Sequence, residues 1–123
     1  MGFDYAPLAQ GAVGTSGGTS TIYTNPSGTT SYVRQIWLHV TADGLANFSE
    51  TSTRMMLVPN NGGVVGVART TEAFFSRSLA TNETYLLDCG VPGIVLGDTN
   101  DTLQMWHPSQ TTINYIVTGG KET

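Results

Sequence analysis

The sequence predicts an all-β domain, an antiparallel β-sandwich of jelly-roll-like form, with a flexible extended arm at its N-terminus. Three observations predict it. From residue 21 onward short stretches alternate apolar and polar residues with a period of two, which places one set of side chains on each face of a strand. Clusters of Asn, Asp, Gly and Pro interrupt these stretches about every 8–12 residues, the spacing of short strands in sandwiches and barrels. No stretch carries a convincing apolar stripe at helical spacing.

Residues 1–20 are read as the arm and 21–123 as the sandwich. The run Gly11 to Ser20 is glycine-rich and has no sustained periodicity. Phe3, Tyr5, Leu8 and Val13 nevertheless give the arm apolar anchors. Two outcomes stay open for it: a frayed terminus, or an arm ordered against a neighbouring subunit.

The strands follow in order. Thr21–Thr24 is a β-branched and aromatic run, stopped by Asn25-Pro26-Ser27-Gly28. Tyr32–Thr41 is the longest candidate. Its alternation puts Tyr32, Ile36, Leu38 and Val40 on one face and Val33, Gln35, Trp37 and His39 on the other. Arg34 interrupts the first face, as a residue near a strand end would. After a turn at Asp43-Gly44, Thr53–Val58 alternates again, and Pro59-Asn60-Asn61-Gly62-Gly63 is the strongest turn signal in the chain. Val64–Ala68 is short and apolar. Segment 70–80 is the best place for a single helical turn. Glu83–Cys89 sets Tyr85, Leu87 and Cys89 on one face, and Pro92-Gly93 punctuates. Ile94–Leu96, Thr102–Trp106 and Thr111–Thr118 complete the set, with Gly119-Gly120 read as the end of the last strand.

Composition narrows the function classes. The 123 residues suffice for one domain with its own core. Only 11% are charged, against about 25% in an average soluble domain, and the net charge is −4. No two of the five basic residues are adjacent, which argues against nucleic acid bound by phosphate neutralisation. A basic membrane-surface helix and a membrane-spanning apolar run are both missing, so no membrane partner is expected. The N-terminus reads as lacking a signal peptide, so synthesis in a cytosol is expected. With one cysteine, Cys89, no internal disulfide can form.

The residues that invite chemistry have plainer readings. His39 and His107 are the only histidines and belong to no spaced ligand cluster, so no metal is expected. Cys89 ends an apolar face, where a small buried thiol is the ordinary case. Asp98 and Asp101 flank a Thr/Asn turn, but their spacing does not fit a calcium loop, and turn capping explains them. Gly62–Gly66 lacks the lysine and following helix of a phosphate loop. No enzyme and no cofactor is expected. Trp37, Trp106, Tyr23, Tyr32 and Tyr115 could form a glycan platform, though aromatics in sandwiches more often serve core or subunit contacts.

An ordered set of weak motifs covers about four fifths of the chain. Thr21-Ile22-Tyr23-Thr24 with Pro26, Gly28 and Thr30 opens it. Val33-Arg34-x-Ile36-x-Leu38 follows, then Leu57-Val58-Pro59 before glycines. Gly97-Asp98-Thr99, Leu103-Gln104-Met105-Trp106 and Ile113 to Gly119 close it. The set resembles small β-sandwich virion proteins of tailed bacteriophages. The resemblance implies a structural role, as a capsid-decorating (cement) trimer or a small tail or neck component. It implies a virion location and a partner such as the major capsid protein. It carries no catalytic motif.

Several strands carry large apolar groups on both faces. An antiparallel sandwich needs only one apolar face per sheet. The second face therefore predicts a further cover, which could be a subunit, the capsid shell or the folded-back arm, and the chain is expected to form a homo-oligomer. Phe3, Tyr5, Leu8, Val13, Trp37, His39, Met56, Trp106 and Ile116 are the candidate interface residues.

Overall fold

A computed structural model describes residues 3–13, 18–42, 52–61, 64–65, 73–79, 82–107 and 111–123. Eleven strands are described: β1 (Phe3–Val13), β2 (Gly18–Thr24), β3 (Thr30–Ala42), β4 (Ser52–Val58), β5 (Asn60–Asn61), β6 (Val64–Val65), β7 (Phe75–Ser78), β8 (Thr84–Asp88), β9 (Ile94–Leu96), β10 (Thr102–His107) and β11 (Thr111–Glu122). No described residue is helical. The larger sheet has the order β1-β11-β3-β8, with β9 pairing the start of β3; the smaller has β2-β10-β4-β7. Strands β5 and β6 form a separate two-stranded ribbon, so Asn60 and Asn61 of the predicted Pro59–Gly63 turn lie on a strand, while Gly62 and Gly63 lie outside the described residues.

All pairings are antiparallel. With the short β5, β6 and β9 set aside, the other eight strands lie in the orders 1-8-3-6 and 2-7-4-5. That is the order of a jelly roll, a long antiparallel hairpin wrapped into two facing sheets. The predicted fold class is therefore the observed one.

The core lies between the sheets because the period-two pattern aims one apolar set inward from each. Ile36, Leu38 and Val40 of β3 and Ile113 and Val117 of β11 meet Met55 of β4, Leu103 and Met105 of β10 and Ile22 of β2. Leu79 and Leu96 fill the space beside them. Leu103→Ala is expected to cost about 2–5 kcal/mol, the range for emptying a fully buried leucine site, read as a lower urea midpoint.

The chain departs from its sequence reading at four places. Residues 3–13 are not a free arm: they form β1, paired with β11 from Phe3↔Glu122 to Val13↔Ile113. Val13 joins the core, and Leu8 and Ala9 pack against it. The jelly roll needs this strand, so the boundary at residue 20 cuts through the domain. Glycine and alanine make β1 a poor strand by propensity, but β11 beside it supplies the pairing.

The second departure is a β-bulge. Thr118 pairs with Gln35 and Gly119 with Val33, so Arg34 is the extra residue on β3. The bulge reverses the alternation, sending Val33 into the core and Tyr32 to the other side, where its hydroxyl donates to Glu122 Oε1 at 3.3 Å. Arg34 interrupts the apolar face for this reason and not because the strand ends.

Third, β11 does not stop at Gly119-Gly120 but runs on to Glu122. A Cβ on Gly119 would lie 1.8 Å from the Tyr32 carbonyl oxygen. From the other side, a Cβ on Gly93 would lie 2.1 Å from the Val33 carbonyl oxygen. Both glycines are close-approach positions at the bulge. Fourth, in segment 70–80, of which residues 73–79 are described, Phe75–Ser78 is a strand on the edge of the smaller sheet and none of the described residues is helical.

The two open sides of the sandwich are closed differently. At β7 and β8, Phe75 and Tyr85 stack at 5.6 Å, with the Arg77 guanidinium 4.5 Å above the Tyr85 ring and 3.5 Å from Glu83. At the opposite side, β1 adjoins β2.

Candidate functional site

The face of the larger sheet that turns away from the core carries the candidate site. Since Ile36, Leu38 and Val40 point inward, Gln35, Trp37, His39 and Thr41 point out. The same argument turns out Asn114, Ile116 and Thr118 on β11, Thr84, Leu86 and Asp88 on β8, and Gln10 and Ala12 on β1.

The register aligns these residues in rows across the sheet. Gln10, Ile116, Trp37 and Leu86 are directly opposite one another in sequence across four strands. Ile116 is 43% exposed, Trp37 39% and Leu86 37%. Three large apolar side chains thus form one continuous exposed ridge. The adjacent row is Ala12, Asn114, His39 and Thr84, smaller and more polar. Between the rows lies a shallow hollow of about 260 Å3, lined by Trp37, His39, Thr84, Asn114 and Ile116 and floored by Leu38.

Charge is almost missing from the part of this face formed by residues 35–41 of β3 and their partners; beyond the bulge, Glu122 of β11 also turns out, beside Tyr32. Across residues 35–41 of β3 and their partners, Asp88 is the one acidic group, at a corner opposite Gln35, and there is no lysine or arginine. His39 shares a 2.8 Å hydrogen bond between Nδ1 and Thr84 Oγ1, which fixes its ring on the sheet. Asn114 Nδ2 donates to Thr41 Oγ1 at 3.4 Å.

Of the nine residues expected at an interface, the structure brings three together: Trp37, His39 and Ile116. Val13 is in the core, and Leu8 is half-buried against it, so both serve the chain's own interior. Met56 faces away from the core on β4, yet the single chain already covers it almost fully, so it offers no surface. Trp106 is half-buried on the smaller sheet, opposite Arg54 and Thr19. The side chains of Phe3 and Tyr5 lie outside the described residues. The sequence reading missed Leu86, Thr84 and Asn114. Their signal was present: with Tyr85 and Leu87 assigned inward, Leu86 has to face out.

The groups that invited chemistry are dispersed. His39 is on the outer face of the larger sheet. His107 is buried at the end of the smaller one, 3.0 Å from Ser20 Oγ through Nε2. Among the described residues, no group of three or more His, Cys, Asp and Glu side chains converges as a metal site. Cys89 packs against the core, and its thiol pKa is raised, first by burial and then by the neighbouring Asp88 charge. A raised thiol is a poor nucleophile at neutral pH. Cys89 is therefore expected to alkylate more slowly than a free cysteine in the folded protein, with a rate still rising above pH 9; equal rates in folded and unfolded chain would contradict this.

Asp98 and Asp101 belong to a polar knot that closes one end of the sandwich. Asn25, fully buried, donates through Nδ2 to the Thr29 and Asp98 carbonyls at 2.7 and 2.9 Å. Its Oδ1 accepts from Ser31 Oγ at 2.6 Å, and Ser31 Oγ lies 2.7 Å from the Tyr23 hydroxyl. Its backbone N–H donates to the Asp101 carbonyl and its carbonyl accepts from Asn100 N–H. The Asp101 carboxylate accepts from the backbone N–H groups of Asn60 and Asp98 at 2.7 and 2.9 Å. The Asp101 carboxylate ties backbone together, as the capping reading expects of it, whereas Asp98 enters the knot through its backbone carbonyl and N–H.

Comparison with protein-family models, with curated proteins and with solved structures finds no match to this chain.

Proposed function

We propose that this chain is a non-enzymatic structural protein of a tailed-bacteriophage particle. In this reading it is made in the bacterial cytoplasm and decorates the capsid as a homo-oligomer, binding major capsid protein between capsomers. The trimer number comes from the resemblance. The observation that carries the assembly part is the aligned ridge of Ile116, Trp37 and Leu86 on an almost uncharged sheet face. Apolar area of this kind gains by leaving water, and the absence of charge removes the main desolvation cost of covering it. The jelly roll adds a modest prior, because capsid and lectin domains recur on it, while fold alone fixes no function. Decoration stabilises a shell by mass action, since the protein binds assembled and not dispersed capsid subunits, and many copies act together.

The test is addition of purified protein to undecorated phage shells. The chain is expected to sediment with them and to raise the temperature at which they open. Failure to bind any shell offered would remove the decoration reading, and recovery with purified necks or tails would move the protein there.

A second reading has one observation of its own. Trp37 walls a hollow whose rim holds His39, Thr84 and Asn114, a ring with hydrogen-bonding groups beside it, as glycan-binding modules use. Binding of isolated glycans that disappears in Trp37→Ala would favour it; the hollow's predominantly apolar lining favours the structural reading.

A further inference from the structure

We infer that the outer face of the larger sheet packs against the same face of one second copy, around a two-fold axis that lies between the two sheets and runs across the strands, level with Leu38. The inference deepens the assembly reading above and rests on it. Two, where the resemblance supplied three, is the number this face itself supports.

The first argument is profile. Side chains two residues apart on a strand stand about 6.7 Å apart, so the face is ruled into rows at that spacing. The row of Ile116, Trp37 and Leu86 is high, and the next row, Ala12, Asn114, His39 and Thr84, is low. The hollow of about 260 Å3 lies between them, and His39 is held down in the low row by its 2.8 Å hydrogen bond to Thr84. An axis midway between the rows turns each high row onto the low row of the other copy. Trp37 of one copy then lies over His39 of the other, Ile116 over Asn114 and Leu86 over Thr84, and the symmetry makes every such contact twice. Each ridge thereby enters the hollow of the other copy, which gives its side chains close-packed neighbours. An axis along the strands would instead set ridge against ridge and leave the low rows facing each other across a void.

The second argument is area. Four strands at about 4.8 Å spacing and seven residues at about 3.3 Å make a face of roughly 19 by 23 Å. With side chains standing from it, such a face exposes on the order of 600 Å2, and two of them reach the ~1,200 Å2 at which specific interfaces begin. A single extended peptide would leave most of that area wet.

The third argument is charge. Asp88, opposite Gln35, is the single acidic group on this part of the face. The axis places its two copies roughly 20 Å apart, about twice the screening length of ~8–10 Å. Two chains of net charge −4 thus meet without like-charge repulsion at the contact. Gln35, Thr118 and Thr41 flank the paired rows, an uncharged polar rim around an apolar centre.

The test has two arms, both on the full chain. Sedimentation equilibrium is expected to give about 26 kDa, two chains of 13.0 kDa, for the native protein. Trp37→Glu is expected to give monomer with the circular dichroism of the native fold; Leu86→Glu, at the sheet edge, serves if the first variant does not fold. The second arm reads how the rows pair. Leu86→Glu mixed with Thr84→Lys is expected to form a heterodimer, seen by native mass spectrometry, because the axis brings the two substituted positions face to face. It should be at least about tenfold tighter than self-association of Leu86→Glu. Gln10→Lys in place of Thr84→Lys is expected to give no such rescue. A native monomer or trimer, a dimer whose mass survives both glutamate substitutions, or rescue by Gln10→Lys instead would overturn the two-fold stack. A dimer formed by another surface that still coats shells would sink the stack and keep the decoration reading. A stack that ignores every shell would do the reverse.

Discussion

Replacing Gly119 with alanine is expected to cost roughly 4 kcal/mol or more, a large share of the ~5–15 kcal/mol that holds a domain of this kind together. The new methyl group would lie 1.8 Å from the Tyr32 carbonyl oxygen, 2.9 Å from its carbon and 3.2 Å from Arg34 N. All three are backbone atoms of the adjacent strand, so no side chain can swing aside. Relief requires β3 and β11 to part at the bulge, in the middle of the larger sheet, where Gly93 also approaches so closely from the other flank that a Cβ on it would meet the Val33 carbonyl. Urea denaturation followed by tryptophan fluorescence measures it, if the variant can be obtained folded at all. Gly97→Ala is the control: a methyl group there meets open space, and a change within about 0.5 kcal/mol is expected. An unchanged midpoint for Gly119→Ala would mean that the bulge is not where the structure places it.

Asn25→Asp is expected to cost about 3 kcal/mol and to lower Tm by roughly 10 °C. The substitution keeps size and shape and changes one donor group to an acceptor. The Nδ2 that served the Thr29 and Asp98 carbonyls becomes an oxygen facing two oxygens in a site sealed from water. The sign of the pH effect follows. Burial and the two carbonyls disfavour the charged form, so the introduced carboxyl has a higher pKa in the folded than in the unfolded chain. Between those two values the native state binds more protons, and stability falls as pH rises. The variant is thus expected to be closest to the native protein at low pH and furthest from it near neutrality. A pH-independent loss would show that the knot does not depend on the Asn25 amide.

The strands were legible because their period-two alternation is strong and their boundaries carry turn chemistry: Asn25–Gly28 before β3 and Gly97-Asp98 before β10 are examples. What was not legible has physical reasons. A bulge adds one residue and flips the parity of everything on one side of it, which no periodicity reveals; only Arg34, a charge in an apolar row, hinted at it. Gly119-Gly120 read as a stop because glycine usually marks turns, whereas here a neighbouring carbonyl excludes any side chain. Strand β1 was hidden by weak propensity, since its place is set by β11 beside it. At the candidate site, Trp37, His39 and Ile116 could be seen as outward residues one strand at a time. That they meet each other and Leu86 in one ridge depends on register, which is fixed by the bulge and the pairing of β11 and not by any local pattern.

In the proposed assembly the ridge of Ile116, Trp37 and Leu86 on the larger sheet is hidden. Hydroxyl-radical footprinting tests it directly, by comparing the protein at high dilution with the protein concentrated or bound to shells. Trp37, Ile116 and Leu86 are expected to lose reactivity together on assembly, while Val91, 81% exposed on the loop before β9, keeps its own. Undiminished oxidation of Trp37 in the assembled state would contradict the claim.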